Sequence, residues 1–279
     1  MSDTRTLNEW VEWIALALKD IACASPRREA ELLLRAFFKQ DQLWLMSEAQ
    51  RTIEATPLLM EWIQRRASNE PLEYLCREVS FYSRNFFIQP GALIPRPETE
   101  LLVEQTLLQV DSEAVLTVVE VGIGSGIISI VLAQHMPNAH FIGIDISNDA
   151  LAVARHNIAR YGLEDRIELR QGDLLCSVCE PIDVLVSNPP YIANHTALEP
   201  NLAYEPDTAL FGGEVGDEMI QKLLEAVQQR HIPLFTCEIG YDQKTAIEAY
   251  LSDFKIQSLE FYSDYAGFDR GLILRLENE

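Results

Sequence analysis

Two short segments of the sequence combine residue types that can carry out chemistry. In the first, Glu120-Val121-Gly122-Ile123-Gly124-Ser125-Gly126, three glycines alternate with other residues directly after an apolar run. Glycine lets the backbone turn sharply and lets a ligand approach without obstruction from a β-carbon. The second, Asn188-Pro189-Pro190-Tyr191, also follows an apolar run and joins an amide, two rigid rings and an aromatic side chain. We predict a ligand-binding loop at the first segment and a site for a planar group at the second.

Acidic residues near the glycines indicate which ligand they bind. Asp145 ends the next predicted strand, where a carboxylate can accept hydrogen bonds from both hydroxyls of a ribose. That placement suits a nicotinamide dinucleotide as well as S-adenosylmethionine. The spacing G-x-G-x-G, in place of G-x-G-x-x-G, favours S-adenosylmethionine. Glu120 and Asp173 favour it too, because carboxylates attract its ammonium and sulfonium groups and would repel a pyrophosphate.

The Asn-Pro-Pro-Tyr segment is typical of a site that methylates the nitrogen of a planar amide or amine. The lone pair of such a nitrogen is delocalised, so the site must bind both N–H hydrogens and hold the nitrogen in line with the methyl group. The side-chain oxygen of Asn188 and the carbonyl of Pro189 can each accept one hydrogen, and Tyr191 can stack on the planar group. Pro189 and Pro190 remove backbone donors and stiffen the loop. We predict Asn188, Pro189 and Tyr191 as catalytic residues, Pro190 as a further substrate-binding residue, and direct transfer without a metal.

Strands and helices alternate from residue 115 onward, as in a doubly wound α/β domain. Strands are predicted at 115–121, 139–145, 167–171, 182–187, 233–239, 256–262 and 270–276, and helices at 126–135, 148–161, 216–230 and 242–251. The last two strands lie too close together for a helical crossover. One of them must therefore run antiparallel to the rest.

The first third of the chain has helical periodicity instead. Trp10, Ile14 and Leu18 form one apolar stripe, and Ser25-Pro26 and Thr56-Pro57 are typical helix starts. After residue 70, strands at 81–82 and 86–88 with a turn at 83–85 predict a hairpin. We predict a helical substrate-recognition domain at 1–70, a β-hairpin linker at 71–95 and a catalytic domain at 96–279. In the helical domain Arg27, Arg28, Arg65 and Arg66 are candidates for docking a protein substrate.

The charge is distributed unevenly between these regions. The net charge is −21; residues 1–85 hold 11 Lys/Arg and 13 Asp/Glu, whereas residues 86–279 hold 11 and 30. Nucleic acid binds through neutralised phosphates, so the acidic half disfavours it as a direct partner. The sequence contains no apolar run of roughly 18 residues, so we predict no membrane span. Because the N-terminus lacks a signal-peptide core, we expect a cytoplasmic protein. We also expect a monomer. Cys176 and Cys179 have no second cysteine pair at zinc spacing, so no metal site is predicted.

Longer segments extend these motifs into a family resemblance. The chain resembles the HemK/PrmC family, the peptide-chain release factor glutamine N5-methyltransferases, over nearly its whole length. Besides the two motifs, the resemblance rests on Pro71-Leu72-Glu73-Tyr74-Leu75, Leu93-Ile94-Pro95-Arg96-Pro97-Glu98-Thr99-Glu100, Tyr204-Glu205-Pro206-Asp207-Thr208-Ala209-Leu210, Glu238-Ile239-Gly240-Tyr241, and Asp264-Tyr265 near Arg270. Two positions depart from the family pattern, with Leu174 in place of an aromatic residue beside the adenine and Cys76 in place of glycine.

The resemblance implies a five-helix N-terminal domain, a hairpin linker and a class I (Rossmann-like) methyltransferase domain with a seven-stranded, mostly parallel sheet. It implies methylation of the glutamine in the Gly-Gly-Gln motif of class I release factors, in support of translation termination. The predicted cofactor-binding residues are Glu120, Gly122, Ile123, Gly124, Ser125, Gly126, Asp145, Asp173, Leu174 and Asn188.

Three other functions share some of these motifs. A glutamine methyltransferase of a ribosomal protein would use the same acceptor motif, although Pro97-Glu98-Thr99-Glu100 favours release factors. A nucleic-acid amino-methyltransferase would need a basic surface, which the acidic half does not offer. A non-catalytic scaffold would not need the glycine motif, Asp145 and the acceptor motif together.

Overall fold

The computed structural model describes residues 4–21, 23 and 25–277, which divide into two compact units. The first contains the chain up to Glu78 and the segment Leu198–Tyr204, and the second contains Val79–Ala197 and the chain from Glu205 onward. The predicted domain boundaries at residues 70 and 95 stay predictions.

The first unit is built from five α-helices, a short 3-10 helix at Leu202–Tyr204 and one pair of short strands among its described residues. Its elements are β1 (Thr4–Thr6), α1 (Leu7–Ala17), α2 (Pro26–Phe38), α3 (Gln42–Ser47), β2 (Thr52–Glu54), α4 (Pro57–Ala67) and α5 (Leu72–Cys76). The predicted helix starts are confirmed, because Ser25 and Thr56 accept hydrogen bonds from the backbone N–H groups of Arg28 and Leu59. The antiparallel pair of β1 and β2 was not predicted, since three-residue strands leave no periodic signal.

The core of the first unit is apolar, and its arginines are largely paired. Trp10, Ile14 and Leu18 are fully buried, which confirms the predicted stripe. Among the candidate docking residues, Arg65 pairs with Glu61 and Glu70. Arg66 pairs with Glu29, and Arg27 pairs with Glu12 and Glu31. Three of the four arginines therefore already make ion pairs within this unit.

The second unit is organised around a seven-stranded sheet in the order β12-β13-β11-β8-β5-β6-β7. Its elements are β3 (Glu78–Phe81), which begins at the boundary between the units, β4 (Arg84–Phe87), α6 (Thr99–Leu108), β5 (Thr117–Val121), α7 (Ile127–His135), β6 (His140–Asp145), α8 (Asn148–Arg160), β7 (Ile167–Gln171), β8 (Val184–Ser187), β9 (Ile192–Ala193), α9 (Asp207–Leu210), β10 (Phe211–Gly213), α10 (Glu218–Gln229), β11 (Leu234–Glu238), α11 (Lys244–Tyr250), β12 (Ile256–Ser263) and β13 (Asp269–Leu276). Only β13 runs against the other strands of this sheet, which confirms the predicted antiparallel strand. The doubly wound fold is confirmed.

Alternation along the strands assigns side chains to the two faces of the sheet. Phe235 and Cys237 of β11 belong to the apolar core that α10 and α11 complete. The intervening Thr236 and Glu238 point the other way, where they hydrogen-bond to Thr106 and Thr99 of α6. Because a strand alternates its faces, the carboxyl end of β11 delivers a buried carboxylate to the side of the sheet covered by α6.

Some local predictions were wrong. The strand predicted from residue 182 begins at Val184. The first strand of the sheet starts at Thr117, not at residue 115, because Val115 is exposed and pairs with nothing in the ladder. The hairpin turn consists of Tyr82 and Ser83, with φ of 50° and 57°, not of residues 83–85. Its strands are Glu78–Phe81 and Arg84–Phe87, not 81–82 and 86–88. Two-residue hairpin turns with positive φ usually contain Asn-Gly or another glycine pair. Tyr82 and Ser83 adopt this conformation without a glycine, so no residue type in the sequence signals the turn.

Candidate functional site

The glycine loop (residues 122–126) turns tightly between β5 and α7. Its three glycines all have positive φ, at 74°, 54° and 82°, a region that other residues rarely adopt. The N–H groups of Gly122 and Ile123 both donate to the carbonyl of Ile144, each at 2.9 Å, which ties the loop to β6. At Gly126 an added β-carbon would lie 3.3 Å from Ala154 of α8. The loop thus packs closely against β6 and α8 through its backbone.

Asp145 supports the same loop from the end of β6. Its carboxylate accepts hydrogen bonds from the N–H of Gly124 and the N–H of Ser147, both at 2.9 Å. Burial raises the pKa of the Asp145 carboxyl, and these two N–H donors oppose that rise. Asp145 therefore has a structural role in the loop. It also lines a cavity, here called the main cavity, that Gly122, Asp173 and Asn188 line as well.

The main cavity collects most of the residues predicted from the sequence. Of the cofactor set, its lining includes Gly122, Gly124, Asp145, Asp173, Leu174 and Asn188. Of the acceptor motif, Pro189 and Pro190 also line it, whereas Tyr191 is not among its lining residues. Leu174 has a φ of 49°, so its side chain reaches this wall from a left-handed backbone conformation. Leu174 therefore contributes an apolar side chain to the wall of this cavity.

Glu120, Ile123 and Ser125 line a second, smaller cavity on the other side of the glycine loop. Glu120 is buried and accepts hydrogen bonds from the N–H and the hydroxyl of Ser129 in α7. Burial raises the pKa of its carboxyl to about 8. Gly122, Gly124 and Asn188 line both cavities, so the loop and Asn188 separate them. Gly126 lines neither cavity and is the N-cap residue that precedes α7.

The acceptor segment (residues 188–191) follows β8 and is held by side chains from distant parts of the chain. Asn188 donates from Nδ2 to Thr99 Oγ1 at 3.1 Å, and Thr99 donates to Glu238 Oε2 at 2.7 Å. Tyr191 donates its hydroxyl to Glu238 Oε1 at 3.1 Å. Burial and the neighbouring Glu238 raise the pKa of the Tyr191 hydroxyl. Both polar side chains of the acceptor segment are thus connected to one buried carboxylate.

A strap before α6 covers one wall of the main cavity. Gly91, Ala92 and Leu93 line it, and Glu205 fixes the following residues by accepting from the N–H of Ile94 at 2.8 Å and from the guanidinium of Arg96. These lining residues were not predicted as site residues. Leu93 and Glu205 lie in segments that carry the family resemblance, but nothing in their spacing connects them to the glycine loop.

The lining of the two cavities fits S-adenosylmethionine. Asp145 and Asp173 offer carboxylates to hydroxyl groups, Leu174 offers an apolar wall, and Glu120 offers a buried carboxylate to a cation. Over the described part of the chain, no group of three or more metal-ligating side chains is present, and Cys176 and Cys179 are exposed thiols. In the same residues, no helix is long and apolar enough to cross a membrane.

Comparisons with known proteins place the chain in a family. Residues 97–205 match the Methyltransferase small domain, and residues 9–76 match the PrmC N-terminal domain. The release factor glutamine methyltransferase of Koribacter versatilis is 36% identical, over 93% of this chain and 95% of its own length. That of Caulobacter vibrioides is 32% identical, over 94% and 93%.

Solved structures agree on the fold. A methyltransferase from Pyrococcus furiosus superposes with a TM-score of 0.52 at 19% identity, covering 70% of this chain and 89% of its own. The ribosomal protein L11 methylase of Lactobacillus delbrueckii gives a TM-score of 0.50 at 23% identity, over 68% and 84%. At such identities the likeness concerns the fold alone, whereas the sequence relatives match nearly end to end. The chain belongs to the release factor glutamine methyltransferase family.

Proposed function

We propose that this protein transfers the methyl group of S-adenosylmethionine to the side-chain amide nitrogen of the glutamine in the Gly-Gly-Gln motif of class I peptide-chain release factors, in support of translation termination. The observation that carries the proposal is the position of Asn188. It lines the cavity that Asp145 and the glycine loop also line, and Thr99 fixes its amide. The side chain proposed to bind the substrate amide, Asn188, and the predicted cofactor-binding residues therefore line the same cavity in a chain of this family.

The residues of the glycine loop, with Glu120, Asp145, Asp173 and Leu174, would hold the cofactor. S-adenosylmethionine would supply a methyl group bonded to a cationic sulfonium, with the methyl carbon as the electrophile and a neutral thioether as the leaving group. Asp145 faces the main cavity with a carboxylate suited to ribose hydroxyls, and Glu120 faces the smaller cavity with one suited to an ammonium group. The separation of these two carboxylates by the glycine loop matches a ligand with separate hydroxyl and cationic groups.

Orientation is the main contribution of the acceptor segment. The Oδ1 of Asn188 and the carbonyl of Pro189 accept the two N–H hydrogens of the substrate glutamine, which turns the nitrogen toward the methyl donor. Tyr191 packs against the apolar core, with its hydroxyl held by Glu238, and its ring would stack on the planar substrate amide. No strong general base is needed, because the amide proton becomes acidic only as the new N–C bond forms and can then leave to water.

The substrate is a protein, which accords with the acidic second half of the chain. Residues 86–279 hold 30 Asp/Glu against 11 Lys/Arg, which disfavours a nucleic-acid phosphate backbone. We assign recognition of the release factor to the helical unit in addition to the cavity. The absence of nucleic-acid binding, the monomeric state and the cytoplasmic location stay predictions.

Mass spectrometry of purified release factor after incubation with enzyme and S-adenosylmethionine tests the proposal. We expect one added methyl group on the glutamine of the Gly-Gly-Gln motif, and none on a release factor in which that glutamine is replaced by alanine. Ribosomal protein and single-stranded oligonucleotides serve as competing substrates. Methylation of either one, with none on release factor, would contradict the assignment of the substrate.

A further inference from the structure

We propose that Thr99 and Glu238 are positioning residues that fix which end of the Asn188 amide faces the substrate. The inference deepens the proposed function and rests on it for the identity of the substrate. The three side chains form a continuous chain of hydrogen bonds from β11 through α6 to the acceptor segment, at 2.7 Å and 3.1 Å. Thr99 and Glu238 are 2% and 1% exposed, and hydrogen bonds between buried groups are strong. Thr99 also lines the smaller cavity beside Asn188, so cofactor affinity has to be measured together with turnover.

The direction of the chain follows from the number of hydrogens that Thr99 carries. A threonine hydroxyl has one hydrogen to donate and two lone pairs with which to accept. Its hydrogen goes to the Glu238 carboxylate, so toward Asn188 it can only accept. Asn188 must then present Nδ2 to Thr99, which leaves Oδ1 for an N–H of the substrate amide. The flipped amide would set two oxygen acceptors against each other and leave the substrate facing a second donor.

Glu238 must accept on both oxygens for this arrangement to hold. Its Oε1 receives the hydroxyl of Tyr191 and its Oε2 receives that of Thr99. Arg270 of β13 supplies the neighbouring positive charge, and its own guanidinium is held by Asp264 at 2.8 Å. Burial raises the pKa of the Glu238 carboxyl, and the two hydroxyl donors and Arg270 counteract that rise. The carboxylate thereby orients both polar side chains of the acceptor segment.

Substitution of Thr99 separates orientation from packing. Thr99→Val keeps the shape and removes the hydroxyl, and we expect kcat to fall about 10-fold to 100-fold with little change in cofactor affinity. Thr99→Ser restores the hydroxyl and should recover most of the loss. The matched control is Thr106→Val, because Thr106 lies on the same helix, is equally buried and shares a hydrogen bond with Thr236 of β11 at 2.7 Å. It should change the melting temperature without changing kcat.

A double-mutant cycle shows whether Thr99 acts through Asn188. If it does, Thr99→Val combined with Asn188→Ala should be no slower than Asn188→Ala alone, whereas independent effects would multiply. Multiplied effects, or a loss in Thr99→Val that appears in cofactor affinity and not in kcat, would overturn the proposal. Equal losses of kcat in Thr99→Val and Thr106→Val would overturn it as well.

A measurement without substrate keeps this inference distinct from the proposed function. The side-chain NH2 signals of Asn188 in a heteronuclear NMR spectrum are identified by their loss in Asn188→Ala. We expect them to shift and to exchange faster with solvent in Thr99→Val and in Glu238→Gln, and to stay unchanged in Thr106→Val. Unchanged signals in Thr99→Val would refute the positioning role even if release factor is methylated. Shifted signals without methylation of release factor would reject only the substrate.

Discussion

The glycine loop and the acceptor segment are held in place by different kinds of contact. The loop is fixed by backbone N–H groups and by Asp145, which lies 21 residues from its partner Gly124. The acceptor segment is fixed by side chains of Thr99 and Glu238, which are 89 residues from Asn188 and 47 residues from Tyr191. One half of the site is therefore a local feature of a βαβ unit, and the other half depends on the assembled sheet.

This difference separates what each half tolerates. The conformation of the glycine loop should change only when one of its glycines or Asp145 is replaced, because backbone groups and the Asp145 carboxylate hold it. The resulting loss should appear in cofactor affinity. A segment supported by buried side chains can lose its orientation through substitutions that touch neither ligand. The variants below test that division by measuring cofactor affinity and turnover separately.

The largest effect is expected from Asn188→Ala. The substitution removes the oxygen that we propose accepts the substrate amide hydrogen, so we expect kcat to fall about 100-fold or more with cofactor affinity nearly unchanged. Single-turnover kinetics on release factor, with calorimetry of the cofactor, measures the two quantities. Asn188→Asp keeps an oxygen but adds a charge, and should retain partial activity.

Asn138→Ala is the matched control for this variant, because Asn138 donates its amide to the carbonyl of Glu113 on the surface. It should turn over like the wild type. Near wild-type turnover in Asn188→Ala would place the acceptor site elsewhere in the molecule.

The fold could be predicted largely because its elements carry strong periodic signals. The strand at 167–171 was predicted to the residue, since Ile167–Gln171 stands between a loop and the Gly172-Asp173 turn. The hairpin turn at Tyr82 and Ser83 could not be placed, because neither residue type favours positive φ and tertiary packing decides the conformation. The pair of β1 and β2 joins three-residue strands far apart in the chain, which no local pattern reveals.

The site was less predictable on its acceptor side. Asp145, Asp173 and Asn188 follow successive strands, so their meeting at one edge of the sheet follows from the topology. Thr99 and Glu238 lie in segments that carry the family resemblance, yet no spacing relates them to Asn188. Their contact depends on how α6 packs on β11, which is a property of the fold and not of either segment.

The next effect, on the cofactor side, is expected from Asp145→Ala. Loss of charge-assisted hydrogen bonds to ribose should weaken cofactor binding by about 2 kcal/mol, roughly 30-fold in Kd. Because Asp145 also holds Gly124 and Ser147, part of this loss would come from the loop itself. Calorimetry measures the affinity.

Asp183→Ala is the control for Asp145→Ala, because Asp183 accepts from the N–H of Thr117 at 2.7 Å within the same sheet. Asp183→Ala should lower the stability of the protein without lowering its affinity for the cofactor. Unchanged cofactor affinity in Asp145→Ala would remove Asp145 from the cofactor site.

A smaller, pH-dependent effect is expected from Glu120. The pKa of its carboxyl is raised to about 8 by burial, so the free enzyme holds a proton there at neutral pH. A bound ammonium group favours the ionised carboxylate, so cofactor binding should release that proton and strengthen as pH rises toward 8. Between pH 6 and 7.5 we expect affinity to increase about 10-fold. Glu120→Gln should bind more weakly at pH 7.5 and lose the slope. An identical slope in both proteins would show that another group titrates.

The smallest effect is expected from Tyr191→Phe, which removes one hydroxyl from the acceptor side and keeps the ring. We propose that the ring stacks on the planar substrate amide, so kcat should fall only about threefold, whereas Tyr191→Ala should be severe. The loss in Tyr191→Phe comes from Glu238, which keeps Thr99 as a donor but loses the hydroxyl bond of 3.1 Å. Tyr250→Phe is the matched control, because Tyr250 donates to Glu225 at 2.7 Å on the surface, and it should leave turnover unchanged. If Tyr191→Phe is as slow as Tyr191→Ala, the hydroxyl and not the ring is the essential group. Glu238 would then act on the acceptor segment equally through Thr99 and through Tyr191. The acceptor segment would depend on buried side chains even more strongly, in contrast to the glycine loop, which is held by its backbone.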